Sequence, residues 1–148
     1  MATLIDTNIL LRSVQPDHPM HLTAVRALEV LMKQEEPLFV AVQNIAEFWT
    51  AATRPIANNG LGFTIEEAQA ELRKIETFFQ ILTESTASYA AWKALLIERR
   101  VSGVQAHDAR LTSVMKAYGV PRIVTFNVAD FTRYPDIEVV HPDKVSAG

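Results

Sequence analysis

Four carboxylates scattered along the chain, Asp6, Glu47, Asp108 and Asp130, carry the chemistry open to this sequence. Asp6 interrupts the apolar run "LIDTNILL" at residues 4–11. A carboxylate buried there is costly unless a hydrogen bond, a cation or a metal offsets its desolvation. Each acid also has an ordinary structural explanation. Asp6 can cap a helix that begins at Thr7. Glu47 falls on the helix face opposite Ile45, Phe48 and Ala52, where a solvated acid is usual. Asp108 stands at a helix start and complements its dipole. Asp130 lies in the turn-like "FNVADF", pinned between Phe126 and Phe131. Singly, none compels a site. Jointly they crowd negative charge, which raises each pKa and destabilises the fold unless a cation is present. Mg²⁺ or Mn²⁺ prefers oxygen ligands and suits carboxylates in a chain without cysteine.

The elements that must position these acids follow from periodicity and breakers. Residues 2–5 read as a short strand ending at Asp6, with a short helix over residues 7–12. "HLTAVRALEVLMK" puts Leu22, Val25, Leu28 and Met32 on one helical face. "PLFVA" is a second strand, and "VQNIAEFWTAATR" a helix burying Ile45, Phe48, Trp49 and Ala52 until Pro55 ends it. "PIANNGLGF" is an irregular loop of a kind that often serves function. Thr64 and Glu67 have capping-box spacing ahead of Ile65, Ala68, Leu72, Ile75 and Phe79. "QILTE" is a strand, and "TASYAAWKALLIERR" a helix burying Tyr89, Trp92 and Leu96. "DARLTSVMKAYG" is a helix with Leu111, Val114 or Met115, and Tyr118 inward, closed by Gly119. "RIVTF" and "IEVV" are β-branched strands. This alternation predicts an α/β fold, a three-layer α/β/α sandwich with a mostly parallel sheet, whose ligands sit at the carboxyl ends of the strands. Asp6, Asn127 and Asp130 would then share one edge of the sheet.

At 148 residues the chain is expected to form a single domain, 1–148. The net charge of -3 argues at first sight against nucleic acid. With four of the 17 acids gathered around a cation, however, the remaining 13 face 14 Lys and Arg. Asp6 and Arg12 interrupt any signal-peptide core, and no apolar run approaches the roughly 20 residues of a membrane span, so a cytoplasmic protein is expected.

Other chemistries fit less well. A receiver-type phosphoacceptor needs an acidic pair after its first strand and a late lysine, which "IDTN" and "VTFN" do not supply. A phosphohydrolase with an aspartyl nucleophile needs a second Asp where Asn8 stands. "GLGFTI" puts Ile65 in the last glycine position of a dinucleotide fingerprint and follows no strand. No nucleophile elbow or phosphate loop occurs. His18 and His21 flank Pro19, which disrupts any shared metal-binding face, and His107, which could shuttle a proton, touch phosphate or merely fix a helix start, stays outside the catalytic set.

Taken together, "LIDTNILL", "NIAEFW", "ATRPIANNGLGFT" and "HDARLTSVMKAYGVPRIVTFNVADF" resemble the PIN-domain ribonucleases, and within them the VapC-type toxins of toxin–antitoxin modules. The likeness spans nearly the whole chain. It implies a PIN-like fold and a Mg²⁺- or Mn²⁺-dependent endoribonuclease that hydrolyses RNA to a 5′-phosphate and a 3′-hydroxyl. The family's catalytic acids fall on Asp6, Glu47, Asp108 and Asp130, with Asp6, Asp108 and Asp130 as metal ligands and Asp108 or Glu47 activating water. Asn127 occupies a place where some relatives carry the fourth acid. Thr7, Asn8, Thr125 and Asn127 match supporting polar positions, and Arg12, Arg54 and Arg110 are candidates for substrate contact. The resemblance also implies a cognate antitoxin protein and a homodimer. The alternative is a catalytically silent PIN-like scaffold that binds RNA or a protein.

Overall fold

The computed structural model describes residues 1–145. Five strands, β1 (Thr3–Ile5), β2 (Leu38–Ala41), β3 (Gln80–Leu82), β4 (Arg122–Val124) and β5 (Glu138–Val140), form one sheet in the order β3-β2-β1-β4-β5. All four pairings are parallel, with Thr3 beside Leu38 on one side and beside Arg122 on the other. The chain builds outward from β1 to β3, then returns to place β4 on the other flank of β1. The strand order therefore reverses between β1 and β4, where open α/β sheets present their ligand crevice.

Alternate residues of the strands feed two cores. Ile5, Val40 and Val124 face Ile9, Leu10, Ala24, Leu31, Phe48 and Ile75. These come from α1 (Thr7–Ser13), α2 (His21–Lys33), α3 (Val42–Thr53) and α4 (Ile65–Phe78). Leu4, Ala41 and Ile123 face Leu95, Leu111, Val114 and Met115. Those belong to α5 (Thr86–Glu98) and α6 (Gln105–Tyr118), and a short α7 (Val128–Phe131) follows β4. The sandwich and its parallel sheet are as the strand–helix alternation predicts. Thr64 and Glu67 form the expected reciprocal cap, at 3.1 and 3.0 Å. Gly119 ends α6 at φ 68. No helix among the described residues is long and apolar enough to cross a membrane.

Helix faces differ from expectation in four places, the first being Ile65 of the α4 repeat, which is exposed. On α2 the buried residues are Ala24, Ala27 and Leu31, while Leu22 and Met32 are exposed. Small alanines let α2 lie close on α1, so the stripe turns away from the largest side chains. On α5, Ser88 and Leu95 are buried and Tyr89 is 60% exposed. Tyr118 also lies outside the core, and its hydroxyl donates to the Thr83 carbonyl at 2.8 Å. In both tyrosines a polar tip made the outward position tolerable.

Candidate active site

Asp6 directly follows β1 and is the N-cap of α1. Its Oδ1 accepts from the Thr7 backbone N–H at 2.8 Å, so the ordinary capping explanation holds. The rest of its surroundings exceed what a cap needs. Oδ2 accepts from Thr125 Oγ1 at 2.8 Å, and Oδ1 also accepts from Asn44 Nδ2 at 3.3 Å. The second Asn44 proton goes to Thr7 Oγ1 at 3.1 Å, and Thr7 in turn donates to Glu47 Oε1 at 2.9 Å. Thr125 Oγ1 accepts from Asn8 Nδ2 at 3.1 Å and from the Asn127 N–H at 3.0 Å. Asn8 Oδ1 takes the Phe126 N–H at 3.2 Å. One saturated network thus ties together the carboxyl ends of β1, β2 and β4.

The parallel sheet makes this possible. Asp6 and Thr125 extend neighbouring strands in register, since Ile5 pairs with Val124. Asn44 reaches them because its Oδ1 accepts the Ala41 N–H at 2.9 Å, which closes the turn from β2 into α3. Glu47 lies three residues further along α3 and points outward from its apolar stripe, toward the cleft.

Asp6 is 8% exposed, and burial pushes its pKa up to about 6. The hydrogen bonds from Thr125 and Thr7 oppose that rise, while the charges of Glu47 and Asp130 add to it. Asp108, in the first turn of α6, is likewise raised to about 6 by burial and then by Asp130, Asp6 and Glu47. Asp108 therefore feels the other three acids, and Asp6 feels Glu47 and Asp130. None of the described residues donates a hydrogen bond to the Asp108 carboxylate. Asp6, Glu47, Asp108 and Asn127 line one cleft of about 230 Å³, whose walls include Thr7, Asn8 and Gln43. Asp130 is exposed on α7 and acts on the cleft through its charge, whereas Asn127 is in the lining itself.

Among the described residues no three His, Asp or Glu side chains stand together as a ready cation cage. Mutual repulsion of the carboxylates is sufficient reason for them to stand apart. The donors nevertheless suit a hard divalent cation, being oxygen throughout. Gln43 supplies an independent sign. Its Nε2 donates to the His107 carbonyl at 3.0 Å, while its buried Oε1 in the cleft wall has no hydrogen-bond partner. Buried acceptors are rarely left so, and a cation or its hydration shell would satisfy this one.

The three arginines are placed differently. Arg110 is held by the Glu84 carboxylate, with Nη2 to Oε2 at 2.9 Å, and its guanidinium lies 6.0 Å from the Trp92 ring centre. Arg12 and Arg54 line a neighbouring cavity that shares Leu11 with the acid cleft. His18 and His21 serve local structure. His18 Nδ1 takes the Met20 N–H, and His21 Nδ1 meets the Arg12 carbonyl. Sequence reasoning missed Gln43 and Asn44. The available signal was two amides opening a helix directly after a strand, as Asp6 and Thr7 do after β1.

Comparison with known proteins bears on the fold. No curated protein matches the sequence. Among solved structures the chain is similar to VapBC2 from Rickettsia felis bound to a promoter DNA fragment, at TM-score 0.67 and 16% identity, covering 95% of this chain and 98% of that one. It is also similar to a toxin–antitoxin complex from Klebsiella pneumoniae, at TM-score 0.64 and 21% identity over 95% and 97% of the two chains. A third likeness is to VapC20 of Mycobacterium tuberculosis, described as a Sarcin-Ricin loop cleaving toxin, at TM-score 0.58 and 19% identity over 82% and 86%. At these identities the likeness is one of fold. The family model of the PIN domain matches residues 3–137, nearly the whole chain that carries the sheet and the cleft, and the protein belongs to the PIN domain family.

Proposed function

We propose that this protein is a metal-dependent endoribonuclease that hydrolyses RNA phosphodiester bonds, as the toxin of a type II toxin–antitoxin module. The observation that carries the reading is the Asp6 carboxylate, buried at the strand-order reversal, raised to about 6 and sharing one cleft with Glu47 and Asp108. A fold does not by itself specify chemistry, so the argument rests on these side chains. The toxin–antitoxin complexes among the structural relatives support a protein antitoxin as partner. RNA as substrate draws support from the relative described as cleaving the Sarcin-Ricin loop. The resemblance in sequence extends the reading to a homodimer of single-domain chains.

Asp6 and Asp108 would hold Mg²⁺ or Mn²⁺, with Asp130 or Asn127 completing the set and Gln43 Oε1 facing its hydration shell. When bound, such an ion supplies Lewis acidity toward the phosphodiester and lowers the pKa of water. The chain's own residues do the remainder. Thr125, Thr7 and Asn44 fix the Asp6 carboxylate so that its two oxygens cannot rotate. Thr7 orients Glu47 across the cleft. Asp108 or Glu47 would orient the attacking water or accept its proton.

The test is cleavage of single-stranded RNA by the purified protein with Mg²⁺ or Mn²⁺, with EDTA, and after Asp6→Asn. We expect cation-dependent cleavage that falls by at least about a hundredfold in the variant, with RNA binding retained. Equal behaviour of wild type and variant would remove the enzyme reading and leave a binding scaffold.

A further inference from the structure

Helices α1 and α3 both leave the acid cleft and carry a second polar wall with them. On α1, Arg12 follows Asn8 by four residues. On α3, Ala51 follows Glu47 by four, and Arg54, the extended residue that ends the helix, follows it by seven. Such spacings keep side chains on one helix face. At about 1.5 Å per residue they lie roughly 6 to 10 Å further along the axes. There Arg12, Gln15, His18, Ala51, Arg54 and Asn59 help to enclose a cavity of about 280 Å³. Leu11 forms the shared wall between this cavity and the acid cleft.

The cavity is held open by backbone. The loop after α3 caps that helix, with Leu61 N–H on the Ala51 carbonyl at 3.0 Å, Phe63 on Ala52 at 2.8 Å and Gly62 on Arg54 at 2.9 Å. Gly60 lies so near that a Cβ there would come within 2.0 Å of the Arg54 carbonyl oxygen. Arg54 Nη2 donates to the Asn59 carbonyl at 3.1 Å, which holds the guanidinium against the loop. Arg12 Nη1 donates to Gln15 Oε1 at 2.7 Å, and its buried Nε has no partner.

Charge decides what the cavity takes. Arg110 and Arg122 are neutralised by Glu84 and Glu36. Neither Arg12 nor Arg54 has a carboxylate partner among the described residues. Two unpaired guanidinium groups around one concavity call for an anion with several acceptor oxygens, and Arg is the side chain best suited to phosphate. We propose that the Arg12–Arg54 cavity binds a backbone phosphate of the substrate strand, about two to three nucleotides from the bond that the acids address, at ~3.4 Å per stacked nucleotide. The identity of that strand as RNA rests on the nuclease reading above. The cavity also gives an acidic protein its anchorage on a polyanion: the acid cleft alone would repel the strand, and the adjacent cations hold it in place.

The experiment measures binding of a short labelled single-stranded oligoribonucleotide by fluorescence anisotropy in EDTA across a salt series, for wild type, Arg54→Gln and Arg12→Gln. Arg54 is exposed, so its replacement leaves both cores intact, and a thermal melt verifies this for each variant. Each replacement is expected to weaken binding about tenfold. The slope of log K against log salt should also become shallower by about 0.7 per lost phosphate contact. Affinity and slope equal to wild type in both variants would overturn the proposal. So would absence of RNA binding by the wild type, or a loss confined to the affinity for a protein partner. Parallel assays with Mg²⁺ separate the two readings. If wild type cleaves and the variants bind and cleave like it, the cavity assignment fails while the nuclease stands. If no protein cleaves but the variants bind weakly with shallower slopes, the cavity stands and the nuclease reading fails.

Discussion

Thr125 Oγ1 donates to Asp6 Oδ2 at 2.8 Å, joining the ends of two neighbouring parallel strands across 119 positions of sequence. The hydroxyl has no capacity left, because it also accepts from Asn8 and from the Asn127 N–H. It holds Asp6 in one orientation and moderates the rise in its pKa.

Thr125→Val keeps the shape and removes the hydroxyl. It strands an acceptor on Asp6 and two donors. Unfolding in urea near pH 7 is expected to show a loss of about 2–3 kcal/mol. The loss should shrink below about pH 5, where Asp6 is protonated. A variant as stable as wild type near neutrality would show that the network is not under load.

Asp6 and Asp108 make stability depend on pH in an unusual direction. Their folded values of about 6 lie above the ordinary 3.8. Between those values the folded state keeps protons that the unfolded chain has released. Their contribution is therefore complete below about 3.8 and is lost as pH rises through about 6. For Asp6 alone the loss is roughly 3 kcal/mol. Without a divalent ion the melting midpoint should be higher near pH 5 than near pH 7.5, and Mn²⁺ should raise it chiefly at the higher pH. A midpoint that climbs steadily to pH 7.5 without metal would contradict these shifts.

The sequence made the sandwich and its acid-bearing edge legible because strand–helix alternation and breakers are local signals. Asp6 could be singled out since it breaks an apolar run. Glu47 could be singled out only through the family resemblance, because a solvated acid on an amphipathic helix looks the same wherever the helix points. Gln43 and Asn44 were missed for a related reason: Asn44 closes the turn from β2 into α3, and both meet partners tens of residues away. The α2 stripe misled because close packing selected alanines over the larger Leu22 and Met32. Arg110 is a candidate for substrate contact from its sequence, but the Glu84 carboxylate that engages it lies in the distant loop between β3 and α5.

Asn44 links the cap of α3 to Asp6 and Thr7. Asn44→Ala removes three hydrogen bonds from a fully buried position. We expect a loss of about 2–4 kcal/mol in chemical denaturation. Asn44→Asp, which keeps the cap acceptor but sets a charge beside Asp6, should also destabilise, and more at pH 7.5 than at pH 5.

Gly60→Ala should push the loop off the end of α3, since the added methyl meets the Arg54 backbone rather than a flexible side chain. A loss of about 1–3 kcal/mol by thermal melting is expected. Hydrogen exchange should quicken at Leu61 and Phe63, whose N–H groups cap the helix. Protection unchanged at both amides would mean that the loop tolerates the methyl without moving.

The central claim is that carboxylates from the end of β1, α3, α6 and α7 act as one cation-dependent site. Titration calorimetry with Mn²⁺ tests it most directly, on wild type, Asp6→Asn and Asp108→Asn. Saturable binding by wild type, weakened at least tenfold in each variant, is the predicted result. Heats of binding that are the same in all three proteins, or absent from the wild type, would contradict it.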